Sequence, residues 1–290
     1  MNRRDFITGT ASGVAGVWAL GAAPTAREPQ GGPPPQPAGP LPAGRVFYRA
    51  TQGETMQMRG HQGDAIDAYL ARPSEPGTYP GVVVVHHMPG WDEPSIEITR
   101  RFAQHGYMAI CPNLHFREGK ATPEANSASA RASGGMGDDR AMGDIDGAIK
   151  HLRAMRELNG KVGIIGYCSG GRQVYLAACT LKGIDAAIPC YPGGVGAGSA
   201  GPTAPVDPLD LSKDLSCPLL GIFGKEDRRP SPEHVAKIDA ELKRLGKTYE
   251  LVSYDGAGHS IFATNRADYR PLVAEEGWKR IFEWYGKYLA

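Results

Sequence analysis

The chain has 290 residues, 41% of them hydrophobic, and a formal net charge of +1. A balance so even lacks the basic excess that a nucleic-acid partner calls for, and gives no electrostatic pull towards an anionic membrane surface. The long apolar runs all fall within one stretch, which leaves room for a single domain with a sizeable core.

The N-terminus reads as an address. Asn2-Arg3-Arg4-Asp5-Phe6-Ile7 carries paired arginines, followed by a Gly/Ala-rich run from Gly13 to Ala23. This resembles a twin-arginine export signal with small residues to cleave at, so residues 1–26 are expected to be a signal peptide. The run is short and poor in Leu and Ile, which supports a spanning helix only weakly. The expectation is a periplasmic or secreted protein that meets the export machinery as a partner and keeps no stable membrane insertion after processing. Residues 27–44 are dominated by Pro and Gly, cannot bury enough apolar area to offset their ordering entropy, and read as a linker. The folded domain is expected over residues 45–290.

Within it, 45–72 alternates short apolar runs with Gly53, Gly60 and Gly63, which suggests an antiparallel meander. Gly81 to Val85 is a continuous apolar strand ending at His86-His87-Met88-Pro89-Gly90-Trp91. A helix is expected over 94–105 and a short buried strand over 107–111. Residues 113–137 are polar, rich in Ser, Ala and Gly and without a period, and read as an excursion near the strand ends. The spacing of Met142, Ile145, Ile149 and Leu152 predicts a helix over 138–158. Next come strands at 162–165, 184–188, 219–223 and 249–254. Helices are expected at 172–181, 232–245 and 275–289, the last bearing Trp278, Phe282 and Trp284. Strands alternating with helices after an antiparallel opening predict an α/β fold, with a mostly parallel central sheet and helices on both faces.

One stretch carries most of the chemistry. Val162 to Ile165 runs into Gly166-Tyr167-Cys168-Ser169-Gly170-Gly171 and then a helix, which is the setting of a nucleophile elbow. Gly166 and Gly170 remove the Cβ atoms that would collide at so tight a turn, and Cys168 takes its centre. A thiol there needs a base, and the base needs an acid to orient it. Asp227, after the 219–223 strand, and His259, in Gly256-Ala257-Gly258-His259, follow in the nucleophile–acid–histidine order of α/β-hydrolases. His87, Cys168, Asp227 and His259 all fall just after strands, where chemistry collects in parallel sheets.

The Gly-Tyr-Cys-Ser-Gly-Gly elbow, Gly224-Lys225-Glu226-Asp227 and Gly258-His259-Ser260 together resemble the dienelactone hydrolase family, over roughly Ile66 to Leu289. The resemblance implies an α/β-hydrolase fold and a Cys-His-Asp triad, with Cys168 as nucleophile, His259 as general base and Asp227 as its orienter. It implies hydrolysis of a small-molecule ester or lactone, with the backbone N–H groups of Ser169 and Met88 as the oxyanion hole. Two departures stand out. The family pattern has a glutamate where His87 stands, and His87 is expected to hydrogen-bond Cys168 or the incoming substrate. The family's substrate-carboxylate arginines have no match: no arginine follows His259 until Arg266, and Arg131 and Arg140 lie in the excursion.

His87 and Trp91 are the candidates for the substrate pocket. No cofactor is expected, and no metal, because His86 and His87 as successive strand residues face opposite ways. A bridge between Cys179 and Cys190 is conceivable, although five cysteines leave at least one thiol free. Two other readings stay open: a silent binding domain on the same fold, and a thiol redox protein, for which no Cys-x-x-Cys is present.

Overall fold

The computed structural model describes residues 49–119, 121–198, 201, 203–267 and 269–290. The expected signal peptide, the linker and the run at 46–48 lie outside the described residues. The chain forms an eight-stranded sheet in the order β1-β2-β4-β3-β5-β6-β7-β8. Strands β1 (Thr51–Arg59) and β2 (Ala65–Pro73) pair antiparallel, and β2 pairs antiparallel with β4 (Met108–Pro112). From β4 onward the neighbours β3 (Tyr79–Val85), β5 (Leu158–Tyr167), β6 (Ala186–Cys190), β7 (Leu219–Gly224) and β8 (Tyr249–Tyr254) are all parallel. This is the α/β fold expected from the alternation of elements, with helices on both faces.

The unbroken valine run of β3 is the signature of a strand covered on both sides. Val83 and Val85 pack into one core layer with Ile145, Ile149 and Leu152 of α3 (Asp138–Ala154) and Val174 and Tyr175 of α4 (Ser169–Thr180). Ile238 and Leu242 of α5 (Pro232–Arg244) join that layer. Val82 and Val84 face the other layer, built on Phe102 of α1 (Glu93–Gln104) and on Trp278, Ile281, Trp284 and Tyr285 of α6 (Pro271–Tyr288). Burying each of these large side chains contributes roughly 1.5–3 kcal/mol, so the two layers anchor the strand ends on which the site is built.

Three elements differ from expectation. The helix expected over 138–158 ends at Ala154, and Leu158 already belongs to β5. Met155 has extended dihedrals that stop the helix, and Gly160, already inside β5, takes a φ of 92° that glycine adopts without a Cβ penalty. The excursion at 113–137 contains a helix, α2 (Pro123–Ala132), capped by Thr122. It escapes an apolar-period search because its buried side chains are Asn126, Ser127 and Ala130. Helix α4 begins at Ser169, three residues earlier than expected. Among the described residues no helix is long and apolar enough to cross a membrane.

Candidate active site

Strand β5 delivers the chain to Cys168, whose φ of 57° and ψ of −118° lie where non-glycine residues rarely go. The turn is held by its neighbours: the Cys168 N–H donates to Cys190 O at 3.2 Å, and Arg172 N–H donates to Cys168 O at 3.2 Å. A Cβ on Gly166 would strike the Gly170 carbonyl, and one on Gly170 would strike the carbonyls of Val85 and His86. The glycines therefore do more than relax the turn. They let the start of α4 close onto the end of β3, so that two separate backbone segments meet at the sulfur.

Asp227 sits in the turn after β7, where its N–H donates to Gly224 O at 3.2 Å and its Oδ1 accepts from Arg229 N–H at 2.8 Å. The loop after β8 is laced to this turn: Glu226 N–H donates to Ala257 O at 3.0 Å, and Gly224 lies against the Ala257 and Gly258 carbonyls. That contact carries His259 to the carboxylate, and its Nδ1 donates to Asp227 Oδ2 at 2.7 Å. The Asp227 side chain is 3% exposed and that of His259 32%, so the acid is sealed in while the imidazole meets the cavity. Tyr191, at the end of β6, stands edge-on to the His259 ring at 5.1 Å.

The Cys168 thiol closes the group. Burial pushes its pKa up, but a hydrogen bond with His259, the imidazolium charge and the N–H groups of Ser169 and Met88 outweigh burial and hold it below the usual cysteine value. His259 mirrors this: burial disfavours its charge, yet its bonds to Asp227 and Cys168 raise its pKa to about 10. Both shifts run in the direction that eases transfer of the Cys168 proton to His259. All five cysteines are free, so the bridge considered between Cys179 and Cys190 is absent. Burial raises the other four, Cys179 and Cys217 to about 12, and Cys168 is the one thiol drawn the other way.

A cavity of about 560 Å³ opens over the sulfur, lined by His87, Met88, Cys168, Ser169, Asp227 and His259 among others. The excursion contributes Leu114, His115 and Gly134 to Met136 to its wall. His87 lines this cavity as expected, but its ring bond goes to Asp92: Nε2 lies 2.7 Å from Oδ2. No bond joins His87 to Cys168 among the described residues, because Asp92, the cap of α1, already holds the ring. Trp91 stands elsewhere. Its Nε1–H donates to Cys111 O at 3.0 Å, and the indole lines a neighbouring cavity with Asn113, His115 and Asn126.

Arg228 and Arg229, exposed and directly after the acid, line the Cys168 cavity and escaped the sequence reading. Their adjacency to Asp227 was the available signal. Arg140 instead bonds Glu118, and Arg131 reaches Ser127. Among the described residues no group of three or more His, Cys, Asp or Glu side chains could hold a metal ion.

The model of the dienelactone hydrolase family matches residues 66–289. The chain belongs to that family. A member from Escherichia coli K12, provisionally named carboxymethylenebutenolidase, is 33% identical over 234 residues, which cover 78% of this chain and 84% of the relative. One from Methylorubrum extorquens, with the same provisional name, is 32% identical over 230 residues and 78% of each chain. The crystal structure of a provisionally named dienelactone hydrolase from Klebsiella pneumoniae superposes with a TM-score of 0.74 at 30% identity, covering 83% of this chain and all of that one. As a dienelactone hydrolase family member, the chain is a hydrolase of the α/β-hydrolase fold.

Proposed function

We propose that this hydrolase cleaves a small-molecule ester or lactone through an acyl-enzyme on Cys168, with His259 as general base and acid and Asp227 as its orienter. The observation that carries this reading is that Cys168, at a strained turn after β5, shares one cavity with Ser169, Met88 and a His259 ring held by the buried Asp227 at 2.7 Å. The thiolate attacks the substrate carbonyl carbon. The oxygen becomes an oxyanion, and the two N–H groups are placed to stabilise it. As the tetrahedral intermediate collapses, the C–O bond breaks and His259 gives its proton to the leaving oxygen. His259 then takes a proton from water, hydroxide attacks the thioester, the C–S bond breaks and the thiolate is restored. Asp227 keeps the imidazole in the tautomer with Nδ1–H and favours its charged form.

Arg228 and Arg229 give the cavity a positive rim, which favours a substrate that carries a negative charge near its scissile bond. The relatives' names, which refer to a butenolide, support a lactone among the substrates. The Arg3-Arg4-Asp5-Phe6-Ile7 start supports export to the periplasm or beyond, tested by fractionating cells that express the full chain with and without Arg3 and Arg4 replaced by Lys. Stopped-flow mixing with p-nitrophenyl acetate tests the chemistry. A burst of p-nitrophenol equal to the enzyme concentration, lost in Cys168→Ala, is expected, and its retention in that variant would reject the mechanism.

A further inference from the structure

Both histidines at the end of β3 line the Cys168 cavity, but the His86 ring bonds backbone groups of the cavity wall and has no bond to the triad side chains. His86 is 2% exposed, and its ring stacks edge-on to His115 in the cavity wall. Leu114 N–H donates to its Nε2 at 3.1 Å, so that nitrogen carries a lone pair and the proton resides on Nδ1. Nδ1 lies 2.9 Å from the carbonyl oxygen of His87. That carbonyl belongs to the same peptide unit as the Met88 N–H, and in a trans peptide the two point in opposite directions. The other end of the unit is the Met88 N–H; Met88 lines the cavity beside Cys168, and this N–H is among the groups that lower the Cys168 pKa.

We propose that His86 is a positioning residue for the oxyanion hole: its Nδ1–H holds the His87 carbonyl and thereby aims the Met88 N–H at the sulfur and at the oxyanion. The inference rests on the reading of Met88 as an oxyanion donor. Gly90 N–H donates to the same carbonyl at 3.0 Å, so the unit is held by two donors from one side. The next carbonyl, that of Met88, is held separately by Ser127 Oγ of α2 at 2.5 Å. His86 therefore acts on the peptide that carries the donor, and α2 on the one after it. Burial and the neighbouring His115 ring keep His86 neutral, with its pKa lowered to about 3, so this tautomer persists over the working range. Gly170 completes the arrangement by letting the elbow approach the Val85 and His86 carbonyls.

Two substitutions separate the halves of the His86 ring. His86→Asn places an amide N–H near the Nδ1 position, keeping the donor to His87 and losing the acceptor for Leu114. His86→Gln reaches the Nε2 position, keeping that acceptor and losing the donor. Each removes one buried hydrogen bond, so a purely structural role predicts similar damage from both. The expected result is a kcat for p-nitrophenyl acetate about a hundredfold lower in His86→Gln with KM little changed, and near that of the unaltered protein in His86→Asn.

The same pair is read without turnover by the pH dependence of Cys168 alkylation with iodoacetamide. His86→Gln is expected to move the thiol midpoint to higher pH and His86→Asn to leave it. The other charged and titratable groups that share the cavity with the sulfur are untouched: His87 and His115 from one side, Arg172 (paired with Asp138) from α4, and Asp227, Arg228, Arg229 and His259 from the other. Because this readout needs no substrate, it tests the aim of the Met88 N–H even if ester hydrolysis were disproved. Equal effects of the two variants, or an unmoved midpoint in His86→Gln, would overturn the proposal. If neither variant folds, ring ¹⁵N shifts of the unaltered protein decide it, since an Nε2–H tautomer or a titration of His86 between about pH 5 and 9 would overturn it as well.

Discussion

Two histidine–aspartate pairs face one cavity, and both have a nitrogen–oxygen distance of 2.7 Å. They differ in which ring nitrogen the carboxylate holds. Asp227 holds His259 by Nδ1, the nitrogen nearer its own backbone, and leaves the outer edge of the ring for Cys168. Asp92 holds His87 by Nε2, the outer nitrogen, and turns that ring back towards α1. The carboxylates differ as well. Asp227 is committed to its histidine and to the Arg229 N–H, whereas Asp92 also caps α1 by accepting from the N–H and hydroxyl of Ser95. Burial acts to raise Asp92, but its bonds to His87 and Ser95 prevail and hold its pKa below the ordinary value. On the proposed mechanism the His259–Asp227 pair presents its outer nitrogen to Cys168, whereas the His87–Asp92 pair forms part of the cavity wall.

The comparison can be broken by removing each histidine. His259→Ala is expected to lower kcat/KM for an activated ester by about 10² to 10⁴, the range for a positioned acid–base group. His87→Ala is expected to change kcat by less than about tenfold, because its outer nitrogen is turned away. Equal losses in the two variants would show that the pairs do not divide the work as their geometry implies.

The pH dependence of Cys168 alkylation sharpens the same contrast. The thiol's folded pKa is depressed, so reactivity is full above that lowered value and falls only as pH drops through it. The curve should therefore lie below the ordinary cysteine midpoint of about 8.5. In His259→Ala it should shift towards or above that value, while in His87→Ala it should stay in place.

The smaller effects lie in stability and binding. His87→Ala leaves the buried Asp92 carboxylate one donor short, which should destabilise the fold by about 1–3 kcal/mol, read as a lower urea midpoint. Replacing both Arg228 and Arg229 by Ala should raise KM several-fold for carboxylated esters and leave KM for neutral ones unchanged. A uniform change across both substrate types would remove the argument for an anionic substrate.

Much of this was legible in the sequence, for reasons that lie in particular residues. The valine run of β3 and the glycines around Cys168 constrain the backbone so narrowly that a strand and an elbow followed from them directly. Asp227 and His259 could be placed because each follows a strand of the parallel sheet and a glycine. Helix α2 was hidden because it buries Asn126 and Ser127, whose side chains are satisfied by the Gly119, Ala121 and Met88 carbonyls and so give no apolar period. The partner of His87 was hidden for a similar reason. Asp92 reads locally as a helix cap, and only the turn at 87–90 brings the ring back over it. Trp91 was misplaced because its side-chain direction depends on the Cys111 carbonyl of a neighbouring strand.

The central claim is that the His259–Asp227 pair activates Cys168 as the nucleophile. It is tested most directly by intact-mass measurement of the protein quenched during turnover of a small activated ester. The account predicts one added acyl group mapped to Cys168, absent from Cys168→Ala together with turnover. No adduct on the unaltered protein, with undiminished turnover in Cys168→Ala, would contradict it.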